Sequence, residues 1–179
     1  MKACSALENQ VLIGYEDGSV ALWDIAEHKM VARTTFHPDA VMCLDYLASI
    51  NRGYCGSVSN TVSSFNINNT AEEQIDITEP NKTDTASPDA VTLCSKMDKV
   101  AEVSVSCEGF SDCKVRNDGK IVAFAGWDSN VRVFGCKKLK QLAVLNYHKE
   151  GVRCITFADD NTMACGSKDQ QISLWDIYK

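Results

Sequence analysis

Nine cysteines are present (Cys4, Cys43, Cys55, Cys94, Cys107, Cys113, Cys136, Cys154 and Cys165), yet no two fall in a Cys-x-x-Cys pair. Zinc sites and redox motifs need that local pairing to converge on one centre, so neither a metal site nor a redox pair is expected. An odd number of cysteines, with no signal-peptide pattern at Met1-Lys-Ala-Cys-Ser5, fits a reducing compartment, the cytoplasm and/or the nucleus. Several of them stand at apolar strand positions, where a free thiol packs as a small hydrophobe. Apolar runs are short, far below the roughly 20 residues that span a bilayer, so no membrane partner is expected. The glycosylation patterns at Asn68-Asn-Thr70 and Asn81-Lys-Thr83 lack a secretory context and are read as chance. Basic charge is also scarce: 18 Lys and Arg face 24 Asp and Glu, a net charge of −6. Phosphate backbones are met by clustered Lys and Arg, and the densest run here is Lys137-Lys138 with Lys140. That run reads as a charged edge strand, a device against strand-to-strand aggregation, and nucleic acid is not expected as a partner. Gly-rich phosphate loops, paired carboxylates and histidine clusters are missing too, so no cofactor and no small-molecule substrate are expected.

What the chain does contain is the 45% hydrophobic and 23% charged content of an ordinary globular protein, most economically one domain. The segment from His148 holds three short apolar runs, Gly151-Val-Arg-Cys-Ile-Thr-Phe157, Met163-Ala-Cys-Gly-Ser-Lys-Asp169 and Ile172-Ser-Leu-Trp-Asp-Ile177. Short runs with period-two patterning, separated by turn residues, predict strands of an all-β array. The unit recurs upstream. Gly166 precedes Trp175 by nine residues, as Gly14 precedes Trp23, Gly56 precedes Phe65 and Ala125 precedes Phe134. The closing aromatics at 23, 65, 134 and 175 lie 42, 69 and 41 residues apart, so the second interval carries an insertion. Each repeat holds Asp, Gly, Asn or Ser between two alternating runs, as a tight hairpin demands.

The pattern predicts four blades over about 1–36, 37–105, 106–147 and 148–179. The first has strands over 2–7, 11–14, 19–25 and 30–35. The second runs over 41–47, 53–56 and 61–67, with its outer strand somewhere in 90–105. The third covers 109–116, 121–125, 130–134 and 141–146. The fourth covers 152–157, 162–166 and 171–177 and lacks an outer strand. Residues 66–90 hold Glu72, Glu73, Asp76, Glu79, Asp84 and Asp89 against Lys82 alone, which accounts for most of the negative charge. That segment reads as a flexible acidic insertion, either a docking segment or a tolerated loop at a blade edge.

Periods of about 40–45 residues closed by Trp-Asp resemble the WD40 repeats, which build β-propellers. The resemblance implies a structural tetrad of His148, Ser167, Asp169 and Trp175, hydrogen-bonded from the third strand of a blade to the turn before it. Partial versions stand at Asp17 and Trp23, at His37 and Ser57, and at Asp128. A His and an Asp near a Ser also invite a hydrolase reading. A serine nucleophile, however, needs its base in reach and an oxyanion hole in an open cleft, and a catalytic site would be complete in one place rather than unevenly decayed over four. No catalytic residue is therefore assigned. Trp127, in a turn, is a candidate partner contact or packs on a neighbouring blade.

The passages Gly14-Tyr-Glu-Asp-Gly-Ser-Val-Ala-Leu-Trp-Asp24, Ala125-Gly-Trp-Asp128 and Cys165-Gly-Ser-Lys-Asp-Gln-Gln-Ile-Ser-Leu-Trp175 are similar to the guanine-nucleotide-binding protein beta subunit-like group, related to fungal ASTRA-associated proteins. This resemblance implies a larger, seven-bladed propeller of which the chain is a C-terminal part. It implies a non-enzymatic scaffold binding other proteins, linked to the co-chaperone machinery that matures phosphatidylinositol kinase-like kinases. A substrate-recruiting subunit of a ubiquitin ligase is the alternative within the binding class.

Overall fold

The computed structural model describes residues 2–7, 9–71 and 93–177. They form four antiparallel sheets in chain order. The first holds β1 (Lys2–Leu7), β2 (Gln10–Gly14), β3 (Ser19–Asp24) and β4 (Lys29–Thr35). The second holds β5 (Val41–Leu47), β6 (Arg52–Ser57), β7 (Thr61–Ala71) and β8 (Leu93–Ser104), with a 3-10 turn at Ala48–Ile50. The third is β9 (Phe110–Val115), β10 (Ile121–Gly126), β11 (Val131–Gly135) and β12 (Lys140–Leu145). The fourth is β13 (Val152–Phe157), β14 (Thr162–Ser167) and β15 (Ile172–Asp176). Strand order within every sheet follows the sequence, and short turns make the connections within the sheets except between β7 and β8, which residues 72–92 separate.

Turn chemistry sets these hairpins. Gly18 has φ 78° between β2 and β3, and a Cβ there would stand 1.9 Å from the carbonyl oxygen of His37. Only glycine satisfies both the left-handed backbone and that close approach. The corresponding turns of the third and fourth sheets put Ser129 and Gln170 at φ 67° and 64°.

Successive sheets stack face to face. Leu12, Val20 and Leu22 of the first sheet pack on Leu44, Cys55 and Phe65 of the second, where Phe36 stacks on Phe65 at 4.8 Å between ring centroids. Tyr54 and Val62 then meet Cys113, Phe124 and Phe134 of the third sheet. Ala123, Val131 and Val133 in turn meet Ile155, Met163 and Cys165 of the fourth. A sheet covered on both sides has no solvent face, which is why β10 reads Ile-Val-Ala-Phe-Ala-Gly without alternation and is buried throughout. The innermost strands β1, β5, β9 and β13 run side by side. Two carboxylates tie the last three of them together: Asp45 Oδ2 accepts from the Val115 amide at 2.8 Å, and Asp112 Oδ2 from the Ile155 amide at 3.0 Å.

Three expectations change. The acidic insertion does not begin at Asn66, because β7 continues to Ala71 and pairs along its length with β8, from Thr61↔Ser104 to Ala71↔Leu93. Ile67 is buried and Asn68 Nδ2 donates to Asp98, so alternation persists where composition suggests a loop. Residues 72–92, with the acidic cluster, lie outside the described residues. The Lys137-Lys138 pair is not on an edge strand: it lies in the β11–β12 turn, whose Leu139 is buried at φ 51° while Lys140 opens β12. The first-sheet hairpin also closes at Asp24, with Ile25 exposed beyond it.

The fourth sheet differs from the others in what covers it. Ile172, paired with Gly166, and Leu174, paired with Ala164, are 75% and 71% exposed. Val131 and Val133 hold the same register places in the third sheet and are 1% and 0% exposed, covered by the sheet that follows.

Candidate functional site

Trp175 and Ser173 lie two apart on β15, so the period-two pleat puts both on one face, beneath the segment carrying His148. Trp175 Nε1 donates to Ser173 Oγ at 2.8 Å, and His148 Nε2 lies 2.8 Å from the same oxygen. His148 Nδ1 lies 3.1 Å from Asp169 Oδ2. Having accepted from the indole, Ser173 has its own proton free for Nε2, which leaves Nδ1–H to donate to the carboxylate; the network fixes this tautomer. Asp169 also accepts from the amides of Lys149 at 2.9 Å and Gln171 at 3.1 Å. Burial pushes the Asp169 carboxyl up, but these amide, His148 and Ser167 hydrogen bonds outweigh it and hold the carboxyl at about 2. Tyr147 lies edge-on to both His148 and Trp175, at 5.3 and 6.3 Å.

Ser167 bonds to Asp169 but does not bridge Trp175 and His148, contrary to the expectation that it supplies the bridging hydroxyl. It lies in the β14–β15 turn, where its Oγ donates to the Glu150 carbonyl at 2.8 Å and accepts from the Asp169 amide at 3.3 Å. It shapes the turn, and Ser173 bridges.

The other sheets hold the same turn with different chemistry. In the third, Arg132 takes the place two residues before the closing aromatic that Ser173 takes in the fourth, and Asp128 takes that of Asp169. Arg132 Nη1 and Nη2 donate to Asp128 Oδ1 and Oδ2 at 2.9 and 2.6 Å, and Asn130 Nδ2 donates to Oδ2. Burial opposes ionisation of Asp128, but Arg132 and Asn130 prevail and set its carboxyl at about 2. In the first sheet Asp17 accepts from Ser19 Oγ at 2.6 Å and from Arg33 Nη2 at 2.6 Å, while Trp23 Nε1 donates to Tyr15 Oη at 3.1 Å. In the second, His37 Nδ1 lies 2.9 Å from Thr61 Oγ1 and Nε2 lies 3.3 Å from Cys55 Sγ, with Ser57, Ser59 and Thr61 bonded in sequence. Burial, with Lys99 nearby, pushes the His37 imidazole below its ordinary value.

The Asp169–His148–Ser173 order invites comparison with a nucleophilic triad. A nucleophile must present its oxygen to substrate beside oxyanion donors. Here the Ser173 oxygen is buried and already accepts the indole N–H, so the polar atoms satisfy one another. Among the described residues no group of three His, Cys, Asp or Glu could hold a metal ion, and no helix is long and apolar enough to cross a membrane.

Trp127 is half exposed. Its ring lies over Gly109, where a Cβ would come within 2.9 Å of it, and it walls a hollow of about 380 Å³ with Gly151, Arg153 and Lys168. It packs and faces solvent at once. The bridging Ser173 and Arg132 were detectable in sequence as polar residues on the core face of apolar strands; Arg33 and Thr61 carry no such mark.

The family described as WD domain, G-beta repeat matches residues 139–176. The mouse guanine nucleotide-binding protein subunit beta-like protein 1 is 36% identical over 174 residues, covering 97% of this chain and 46% of that protein. ASTRA-associated protein 1 of Aspergillus flavus is 34% identical over 120 residues, 44% of this chain and 28% of that protein. ASTRA-associated protein 1 of Schizosaccharomyces pombe is 45% identical over 71 residues, 39% of this chain and 19% of that protein. The chain thus spans less than half the length of these relatives.

Proposed function

We propose that this chain, a WD40-repeat protein similar to those relatives, is a non-catalytic scaffold that holds other proteins together in a multiprotein complex. The observation that carries the reading is the closed Trp175–Ser173–His148–Asp169 chain of bonds, rebuilt with other residues around Asp128 and Asp17. Four different chemistries serve one end, which is to pin the turn between the second and third strands of a sheet. A rigid stack with pinned turns presents loops in fixed positions, and loops on rigid frames are where partners bind.

In the finer version of this reading, the four sheets are blades of a larger, seven-bladed ring. The 75% and 71% exposure of Ile172 and Leu174 supports it, since their counterparts are covered by a following sheet. The complex served is the co-chaperone machinery that matures phosphatidylinositol kinase-like kinases, in the cytoplasm or nucleus; the name of the fungal relatives, ASTRA-associated protein 1, supports this choice of complex. Protein partners, rather than nucleic acid, membrane or small molecule, fit a net charge of −6. Trp127 is proposed as a contact on this surface, because an exposed Trp on a rigid turn is a favourable anchor.

Affinity purification of the tagged chain from cell lysate, read by mass spectrometry, tests the proposal. Recovery of kinase-maturation co-chaperones supports the finer reading, and recovery of cullin-type ligase components replaces it. A turnover that His148→Ala abolishes while the fold persists would overturn the scaffold itself.

A further inference from the structure

Three turns meet at one end of the second and third sheets: the 3-10 turn ending at Ile50, the β9–β10 turn at Gly119, and the β11–β12 turn through Cys136 and Leu139. Between them lies a cavity of about 540 Å³. Its floor is apolar. Ile50 is 39% exposed and rests on Gly119, where a Cβ would come within 2.9 Å of Cγ2, and Gly135 and Cys136 close the far side.

The rim is cationic. Lys120, Lys137, Lys138 and Lys140 surround the cavity. The buried side chain of Leu139, in the left-handed region, anchors the turn in the core and turns its lysine neighbours to solvent. An adjoining recess of about 240 Å³ adds Arg52, whose Nη1 is buried with no hydrogen-bond partner. Among the described residues the carboxylate in this lining is Asp118, already held by Arg116 through Nε at 3.0 Å and Nη2 at 2.7 Å, with Lys120 at 3.7 Å. Among the described residues Lys137, Lys138 and Lys140 have no ion pair. Five cations therefore converge on an apolar cup in a chain whose net charge is −6. Three of these lysines lack a carboxylate partner among the described residues, and a buried guanidinium N–H without an acceptor is unfavourable, so a ligand that supplies carboxylates would complete the arrangement.

We propose that this cup is a docking site for an acidic peptide segment of a partner protein, with an apolar side chain seated on Ile50 and Cys136 and flanking carboxylates on the lysines and Arg52. The cavity has room for one or two side chains. Among the described residues its lining includes no aromatic ring on which a nucleobase could stack, which disfavours single-stranded nucleic acid. Its apolar surface is concave, whereas a membrane surface requires apolar groups that protrude into it. The lysines set the encounter rate and the salt dependence, and the cup sets residence time. The proposal deepens the scaffold reading and rests on it.

The test uses the full chain with fluorescein-labelled probes read by anisotropy. The probes are a peptide alternating aspartate with leucine, an all-aspartate peptide of equal charge, a single-stranded oligonucleotide, and phosphatidylserine vesicles by co-sedimentation. The expected result is that the aspartate–leucine peptide binds best, weakens with salt, and weakens by about tenfold or more in Lys137→Glu/Lys138→Glu, whose exposed sites leave the melting temperature unchanged. Ile50→Ser should reduce binding of the aspartate–leucine peptide toward that of the all-aspartate peptide. Equal binding of the two peptides, insensitivity to charge reversal, or preference for the oligonucleotide or the vesicles overturns the site. The two readings fail separately. If Lys137→Glu/Lys138→Glu recovers the same proteins from lysate as the wild type, this site is wrong and the scaffold stands; if the wild-type chain recovers none, the scaffold itself fails.

Discussion

Arg132 occupies in the third sheet the register place that Ser173 occupies in the fourth, and a single guanidinium there does the work of two side chains. It reaches Asp128 directly with both arms, where Ser173 needs His148 to reach Asp169. Removing Arg132 leaves a partly buried carboxylate without its cation. Arg132→Ala is expected to cost about 3 kcal/mol, because breaking a buried pair from one side strands the other charge. Urea denaturation measures it. Arg132→Met combined with Asp128→Asn should recover a good part of that loss, since both charges are then removed together.

Acid sensitivity follows from the same turns. Asp128 and Asp169 have folded values of about 2, against 3.8 for an unperturbed aspartate. A depressed carboxyl stabilises the fold fully above the unperturbed value and loses that contribution as pH falls toward the folded value. Melting temperature should therefore drop steeply between about pH 4 and pH 2, and Asp128→Asn should flatten part of that drop.

His37 acts at higher pH. Burial lowers its folded value below the ordinary 6.5, so the folded state holds the neutral ring. Its contribution is present above 6.5 and is lost as pH falls below that value. Comparing wild type with His37→Gln in melts on either side of this pH isolates the effect. The idea fails if the two slopes coincide.

Thiol reactivity should sort by burial. Cys154 is the exposed cysteine among those described, while burial raises the thiols of Cys55 and Cys113 well above their ordinary value and that of Cys165 to about 12. Alkylation of the native chain at mildly alkaline pH, followed by peptide mapping, should label Cys154 first among these seven cysteines, because an exposed thiol is reached by the reagent while burial keeps others protonated. Cys154 pairs with Gly166, which pairs with Ile172, so its labelling also reports whether anything covers that face.

Matched substitutions in the third and fourth sheets should diverge. Val133→Ala empties a fully buried place and is expected to cost about 2 kcal/mol. Leu174→Ala, at the same register place but 71% exposed, should change stability by less than about 0.5 kcal/mol in the isolated chain. Guanidinium titrations of both variants measure the difference.

The architecture is legible in sequence wherever the signal is local. The nine-residue step from Gly166 to Trp175 contains a whole hairpin, and its repetition at Gly14, Gly56 and Ala125 locates the second and third strands of all four sheets. β8 has no such mark. It is placed by pairing with β7 across residues 72–92, and nothing short-range in Leu93–Ser104 selects that register. The bridging Ser173 follows from counting two back from Trp175, but Ser167 competes for the place because it sits beside Asp169 in sequence. The basic cup is the least legible feature. Its parts come from Ile50, Gly119 and Lys137, on three turns that meet only after two sheets have packed.

The two inner-strand carboxylates bear on how the molecule breathes. Asp45 caps an amide of the third sheet and Asp112 an amide of the fourth, so each bond belongs to one sheet and protects a proton on the next. Isotope exchange at the Val115 and Ile155 amides will thus time the parting of neighbours rather than the fraying of their own strands. Asp112→Ala should hasten deuterium uptake at Ile155 while leaving Val115 slow. The stack would then come apart as a hinged sequence, one leaf at a time, with its own built-in clock at each hinge.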